Sequence, residues 1–206
     1  MTRGRPREFD TAEALEQALR VFARDGFERA SVQVLADAMG ICKPSLYAAY
    51  GNKETLFIEA LRRYARAGGE RRSALLDEEP DGEAAVTRVL EEAATTFTSG
   101  ASARGCMLMA EAASQASRSE AVRAALASAM GDGTTALRKR LVRAVADGHL
   151  SSDVDVDAMT GYFDALLAGL STMARNGSGA DELRPVVQTA MRAWRRPLTT
   201  VLVESV

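Results

Sequence analysis

A short stretch near the amino end carries side chains of the types that contact nucleic acid. Leu46 and Tyr50 stand four residues apart and face inward if the segment is helical, which leaves an outward face made of Lys43, Ser45, Tyr47 and Ala49. A cation and hydroxyl groups suit phosphates and base edges, and a methyl group suits the methyl of thymine. The solvated face of an ordinary helical hairpin has the same pattern, so this face alone leaves both interpretations open.

Two short helices joined by a turn would position this face. Ser31 can cap the first helix, whose apolar residues recur at helical spacing as Val32, Leu35, Ala36 and Met39. Gly40 supplies the permissive backbone of a sharp turn. The second helix opens with Lys43-Pro44, where proline is tolerated because its missing N–H has no partner in the first turn. The spacing therefore predicts a helix-turn-helix whose second helix enters a major groove.

An amphipathic helix precedes this pair, and a basic arm precedes that helix. Residues 10–13 form a capping-box pattern at the start of this helix, and Gly26 marks its expected end. The apolar stripe between them consists of Leu15, Leu19, Phe22 and Ala23. In the arm, residues 2–7, Arg3 and Arg5 suit a narrow minor groove, which attracts arginine by its negative potential. A disordered, solubilising terminus is the alternative interpretation of the arm.

In order and spacing, residues 9–61 resemble the DNA-binding domain of the TetR/AcrR family of bacterial one-component transcriptional regulators. The segments that carry the resemblance are FDTAEALEQALRVFARDGFERASVQVLADAMG and ICKPSLYAAYGNKETLF. The resemblance implies an all-α fold, with a DNA-binding domain in residues 1–52 and a larger helical effector-binding and dimerisation domain in residues 53–206. Helix 4, expected over 53–66, would connect the two. It also implies a homodimer that acts as a repressor on a palindromic double-stranded operator; a transcriptional activator of the same family is the alternative.

The resemblance also assigns DNA-contacting positions. The second helix of the pair resembles the recognition helix, so base or phosphate contacts are implied for Lys43, Pro44, Ser45, Tyr47 and Ala49. Ser31 and Lys53 fall where the family holds the DNA backbone, and Gln33 could add a further contact. Members of the family often carry a larger side chain, histidine or an aromatic residue, where this chain has Ala48 or Ala49. Direct readout would then depend on Lys43, thymine methyls and DNA shape.

The two cysteines predict no disulfide and no metal site, because they lie in unrelated contexts. Cys42 stands where a serine or threonine would cap the recognition helix, and a thiol is a poor acceptor for that purpose. Beside Lys43 at a helix start, its pKa could be lowered enough for redox control of DNA binding; an inert packing role is the alternative. Cys106 lies in an apolar segment and is expected in the core.

Composition favours a cytoplasmic regulator without a cofactor. The 206 residues carry a net charge of −2, yet residues 1–66 hold 11 Lys and Arg against 9 Asp and Glu, so the basic excess lies at the amino end. With 47% hydrophobic residues the chain can bury a substantial core. No stretch reaches the ~18 apolar residues of a membrane span, and the basic start lacks the apolar run of a signal peptide.

An enzyme and a helical ligand-binding or interaction protein without specific DNA binding are the rival classes. His149 lies in a loop with no nucleophile motif nearby, and no phosphate-cradling glycine motif or HExxH pattern occurs. Asp153, Asp155 and Asp157 alternate as in a calcium loop, but the glycine and distant glutamate of such a loop are absent. We therefore predict no enzymatic activity, and a salt-dependent mobility shift would separate a DNA binder from the other two classes.

Beyond residue 70 the pattern is helical, with no alternating strand signal. Breaks are expected at Gly68-Gly69 and at residues 78–82, and helices at 83–98, 106–117 and 120–147. Gly131-Asp132-Gly133 predicts either a kink or a true break in the last of these.

Two helices close the chain, and each carries an apolar stripe at intervals of three and four residues. The resemblance assigns these stripes to a four-helix dimer interface, formed by Met159, Phe163, Leu166, Leu170, Met173, Leu183, Val187 and Trp194. Small residues between them, Gly161, Ala165, Ala168 and Gly169, would allow close helix approach. Burial of both stripes within one subunit is the alternative.

The region between these helices and the DNA-binding domain resembles the family's effector-binding domain. A small apolar or amphipathic effector is expected in a cavity lined by Phe97, Met107, Met109, Met130 and Tyr162, although ordinary core packing would explain the same residues. Binding there would shift helix 4 and change the separation of the two recognition helices, to the extent that the effector prefers one conformation.

Overall fold

The structure, a computed structural model, describes residues 10–99, 105–114 and 119–195. Within these ranges the regular elements are helices, as predicted: α1 (Thr11–Arg29), α2 (Val32–Ala38), α3 (Lys43–Tyr50), α4 (Lys53–Glu78), α5 (Gly82–Thr98), α6 (Met107–Ala113), α7 (Glu120–Ala146), α8 (Val156–Arg175), α9 (Ala180–Ala190) and α10 (Arg192–Arg195). In the described part of the chain, no helix combines the length and the apolar character needed to cross a membrane.

The amino-terminal helices share one hydrophobic core, which we call the amino-terminal cluster. Its centre is an aromatic group in which the ring of Phe57 lies 5.0 Å from that of Phe22 and 4.9 Å from that of Phe27. Leu35 of α2 and Leu46 of α3 are fully buried against this group. The cluster extends past the first four helices to Met107, Val122 and Leu126 of α6 and α7. The amino-terminal helices are therefore packed directly onto α6 and α7.

The backbone of α1 is interrupted at Gly26, where the end of this helix was predicted. The helix extends to Arg29, but Gly26 has φ 75° and ψ 169°, which is not helical. Such a conformation is accessible to glycine and strained for other residues. The interruption turns the last residues of α1 so that Phe27 faces Phe22 and Phe57.

The prediction that helix 4 ends at residue 66 is wrong, because α4 continues through Gly68-Gly69 to Glu78. Each glycine costs about 1 kcal/mol relative to alanine inside a helix. Beyond them, Leu75 and Leu76 are only 3% and 2% exposed, and burying a leucine contributes about 1.5–3 kcal/mol. Packing of the last turns outweighs the weak propensity of the glycine pair. Likewise, α7 continues through Gly131-Asp132-Gly133 as a single helix.

The remaining helices form a second core, the carboxy-terminal cluster, and it corrects the predicted dimer interface. Six of the eight residues assigned to that interface are buried inside this single chain: Met159, Phe163, Leu170, Leu183, Val187 and Trp194. Leu166 and Met173 are half-buried and pack against the same cluster. The large apolar side chains of α8 face α5, α7 and α9 of their own protomer. The six buried residues are therefore core residues rather than contacts to a second copy.

This packing leaves a row of small side chains exposed along the middle of α8, beside the exposed Tyr162. We call this row the small-residue face, and it comprises Gly161, Ala165, Ala168, Gly169 and Thr172.

The short α6 ends at Ala113, before the predicted end at residue 117, and residues 115–118 lie outside the described residues.

Candidate nucleic-acid interface

The α2–α3 pair is built as the local signals predict. The Ser31 hydroxyl accepts a hydrogen bond from Val34 N at 3.2 Å and caps α2. Gly40 follows α2 with φ 67°, a left-handed conformation that glycine tolerates best. α3 then begins at Lys43 with Pro44 in its first turn. Leu46 and Tyr50 are buried at 0% and 7% exposure, so the orientation of α3 about its axis is determined by its packing.

This orientation exposes the face that was predicted to contact DNA. Lys43, Pro44 and Ala49 are exposed, and Ser45 is half-buried. Tyr47 is 47% exposed, the most exposed of the large apolar side chains described. An exposed aromatic beside a lysine on a short, rigid helix can contact bases and phosphates together.

The three flanking positions are held by contacts within the protein. The Ser31 hydroxyl accepts the hydrogen bond that caps α2, and Gln33 Nε2 donates to Asp37 Oδ1 at 2.7 Å. Lys53 Nζ donates to the Glu28 carbonyl at 3.3 Å and lies 4.5 Å from the centre of the Phe27 ring. Burial lowers the pKa of the Lys53 amine, and the negative charge of Glu28 opposes that shift. Lys53 thus ties the start of α4 to the end of α1. Arg3 and Arg5 lie outside the described residues.

Cys42 precedes α3 without capping it through its side chain. Its Sγ lies 3.1 Å from Ser45 Oγ, and the thiol is exposed. The hydrogen bond with Ser45 is the main cause that lowers the pKa of the Cys42 thiol below its usual value. The thiol is therefore directly adjacent to Ser45, one of the side chains predicted to contact DNA. Cys106, by contrast, is buried, as predicted.

One residue that links the two clusters was missed by the sequence reasoning. The Glu111 carboxylate, on α6, is only 6% exposed and accepts a hydrogen bond from Phe27 N at 3.1 Å. Glu111 is the only acidic residue in the apolar segment MLMAEAA, and this could have identified it from the sequence. A carboxylate placed in an apolar helix requires a polar partner.

A cavity of about 870 Å³ lies between α4, α5 and α7, and it corrects most of the predicted effector residues. Phe97 lines it. Met107 belongs instead to the amino-terminal cluster, and Met109 packs against the carboxy-terminal cluster without reaching the cavity. Met130 and Tyr162 are exposed at 40% and 37% and lie outside the cavity. The α4 side chains that do line it, among them Tyr64 and Arg72, were not predicted.

Comparison with known proteins identifies the family. The model of bacterial regulatory proteins of the tetR family matches residues 14–60, and that of the tetracyclin repressor-like C-terminal domain matches residues 82–180. The HTH-type transcriptional repressor ComR of Escherichia coli K12 is 30% identical over 194 residues, covering 94% of this chain and 92% of ComR. A second repressor from that strain, BdcR, is 38% identical over 107 residues, about half of each chain.

A solved structure matches the fold and a large part of the sequence. A cysteine mutant of the TetR-family transcriptional regulator CifR, complexed with 26-base-pair double-strand operator DNA, superposes with a TM-score of 0.87 at 40% identity. The match covers 93% of this chain and 100% of the CifR chain. ComR and CifR each match more than nine tenths of this chain, and both family models fall within the matched length. The activity therefore follows the family, whose members are DNA-binding regulators that act as dimers on double-stranded DNA. The chain belongs to the TetR family of bacterial transcriptional regulators.

Proposed function

We propose that the chain is a homodimeric repressor in the bacterial cytoplasm, which binds a palindromic operator through α3 and is released when a small molecule enters the cavity. The observation that carries this proposal is the orientation of α3, whose buried Leu46 and Tyr50 leave Lys43 and Tyr47 exposed together. In a twofold dimer, two such helices would enter successive major grooves about 34–36 Å apart.

The small-residue face of α8 is the proposed centre of the dimer interface. Its small, exposed side chains would allow the α8 helices of two copies to approach closely, and the half-buried Leu166 and Met173 border it. A twofold interface brings the same surface of each copy together, so one self-complementary face is sufficient. Leu166 and Met173 are thus the two members of the predicted interface set that this proposal retains.

The length of α4 supports the proposal that ligand binding in the cavity moves the DNA-binding region. Its first turns, with Leu56 and Phe57, are buried in the amino-terminal cluster, while Leu75 and Leu76 belong to the carboxy-terminal cluster. Its middle turns line the cavity. A ligand that favours one tilt of this helix would move the DNA-binding region of each protomer and change the spacing of the two α3 helices.

Selection of bound duplexes from a random pool tests the proposal. The expected product is a palindrome with half-sites one helical turn apart, bound with an affinity that falls steeply with salt concentration. Non-palindromic products, or recovery of no enriched sequence by the full-length dimer, would contradict the proposed operator recognition.

A further inference from the structure

The cavity is both apolar and basic. Its apolar wall includes Leu75, Val89, Phe97, Leu108 and Leu167. Four arginines of α4 also line it, Arg62, Arg66, Arg71 and Arg72, against two acidic residues, Glu92 and Asp132. The volume of about 870 Å³ lies within the range of small-molecule sites. The charges of the wall therefore favour an anion, while most of its surface favours hydrocarbon.

The ion pairs in the wall leave this positive excess in place. Arg71 is paired with Glu92, with Arg71 Nε 3.0 Å from Glu92 Oε1. Arg62, Arg66 and Arg72 form no hydrogen bond or ion pair with any other residue in the described ranges. Arg62 and Arg66 are exposed to solvent, but Arg72 is half-buried. Of these three arginines, Arg72 is therefore the one whose charge is least well hydrated by solvent.

Arg72 reaches the opposite wall of the cavity. Its guanidinium lies directly against Gly133 of α7, so closely that a side-chain carbon at residue 133 would overlap Arg72 Nη1. The Arg72 charge also acts on the hydroxyl of Tyr64, which donates to Cys106 Sγ at 3.7 Å. Burial raises the pKa of Tyr64, and the nearby positive charge of Arg72 opposes that shift. The Arg72 guanidinium and the Tyr64 phenol thus both line the cavity.

We propose that the effector of this cavity is an amphipathic carboxylate, whose carboxylate is bound by Arg72 and whose hydrocarbon part packs on the apolar wall. This inference rests on the proposed function, in which the cavity holds the effector. A guanidinium matches a carboxylate with two parallel hydrogen bonds, and the match strengthens where water is excluded. A cationic ligand would be repelled by the excess of arginine, and a neutral ligand would leave Arg72 without a partner.

Direct binding to the full-length dimer tests the ligand class independently of DNA. Three probes of one chain length, decanoate, decanol and decyltrimethylammonium, are compared by calorimetry. We expect decanoate to bind about 10-fold or more tightly than decanol, because charge-assisted hydrogen bonds add to the shared apolar contact. Decyltrimethylammonium should bind most weakly. Equal or weaker binding of decanoate relative to decanol, or no binding of decanoate, would overturn the proposal.

Variants at the contact point separate the role of Arg72 from the general charge of the cavity. Arg72→Gln should weaken decanoate binding by about 10- to 100-fold and change decanol binding little. Gly133→Ala keeps every charge and should also weaken decanoate binding, because the new methyl displaces the guanidinium. Arg138→Gln, on α7 outside the cavity, is the matched control and should leave the affinity unchanged. Folding of each variant is checked by circular dichroism, and Arg72→Lys should retain part of the decanoate affinity.

Unchanged decanoate affinity in folded Arg72→Gln would overturn the proposed contact. Release of operator DNA is then measured separately with the same probes. Decanoate that binds through Arg72 without releasing operator would leave the ligand class standing and contradict the proposed effector mechanism.

Discussion

Glu111 of α6 and Phe27 of α1 are 84 residues apart in sequence, yet the carboxylate of one accepts a hydrogen bond from the backbone N–H of the other at 3.1 Å. The bond is made where Gly26 interrupts α1, and the carboxylate is nearly inaccessible to solvent. The hydrogen bond therefore joins the DNA-binding helices to the carboxy-terminal helices. It satisfies a backbone N–H of α1 at the point where the helical hydrogen-bond pattern is interrupted.

Removal of the Glu111 carboxylate should destabilise the whole protein. Glu111→Ala leaves the Phe27 N–H without this acceptor, which should cost about 1–3 kcal/mol. Glu111→Gln retains a carbonyl oxygen and should cost less. Denaturant unfolding followed by circular dichroism measures both, and equal stability of wild type and Glu111→Ala would show that the bond contributes nothing.

The exposed face of α3 should determine operator affinity. Lys43→Ala and Tyr47→Ala should each weaken binding by about 1–3 kcal/mol while unfolding as the wild type does. Lys139→Ala removes an exposed lysine from α7 and serves as the control. Fluorescence anisotropy with the selected operator measures the three affinities. Full affinity in both α3 variants would mean that another surface binds the DNA.

The small-residue face of α8 should control dimerisation. In a twofold interface Ala168→Glu introduces two carboxylates, one from each copy, into a close helix contact, which should shift the protein to monomer. Ala127→Glu makes the same change at an exposed position of α7 and should leave the dimer intact. Sedimentation velocity distinguishes the two states. A dimeric Ala168→Glu would place the interface elsewhere.

Two glycine substitutions should change stability in opposite directions. Gly26→Ala places a side chain at φ 75° with its Cβ 3.0 Å from Glu111 Oε1, so we expect a loss of about 1–3 kcal/mol. Gly68→Ala lies inside α4 with no atom within 4 Å of the new Cβ, so it should gain about 0.5–1 kcal/mol from helix propensity. Thermal unfolding of the two variants side by side checks the signs, and a stabilised Gly26→Ala would show that the interruption in α1 is unimportant.

Cys42 should react as a thiolate at lower pH than an ordinary cysteine. The Ser45 hydroxyl lowers the pKa of the thiol, so the rate of alkylation should rise through its midpoint at a pH below the usual thiol value. Ser45→Ala removes the largest cause and should move the midpoint upward. Iodoacetamide labelling over a pH series, with peptide mass spectrometry to separate Cys42 from Cys106, gives both midpoints. Identical midpoints would contradict the role of Ser45.

Redox control of DNA binding by Cys42 is tested with the same protein. The hypothesis predicts that mild peroxide lowers operator affinity in wild type but not in Cys42→Ser. Unchanged affinity of the oxidised wild type would refute it.

The DNA-binding helices could be predicted from sequence because local signals specify them. A cap at Ser31, a left-handed glycine at residue 40 and a proline in the first turn of α3 each act within a few residues. Together with the inward positions Leu46 and Tyr50, they determine which side of α3 is exposed. Local hydrogen bonds and helical periodicity need no knowledge of the rest of the chain.

What only the tertiary structure decided is the partner of each apolar surface. Phe163 and Ala165 both belong to α8, and the sequence determined that a stripe through Phe163 must be buried, but not whether its own protomer or a second copy covers it. The hydrophobic effect is non-directional, so apolar periodicity predicts burial without naming the partner. For the same reason the sequence did not show that the packing of Leu75 and Leu76 keeps α4 helical through two glycines, or that Arg72 lines a cavity and lies against Gly133.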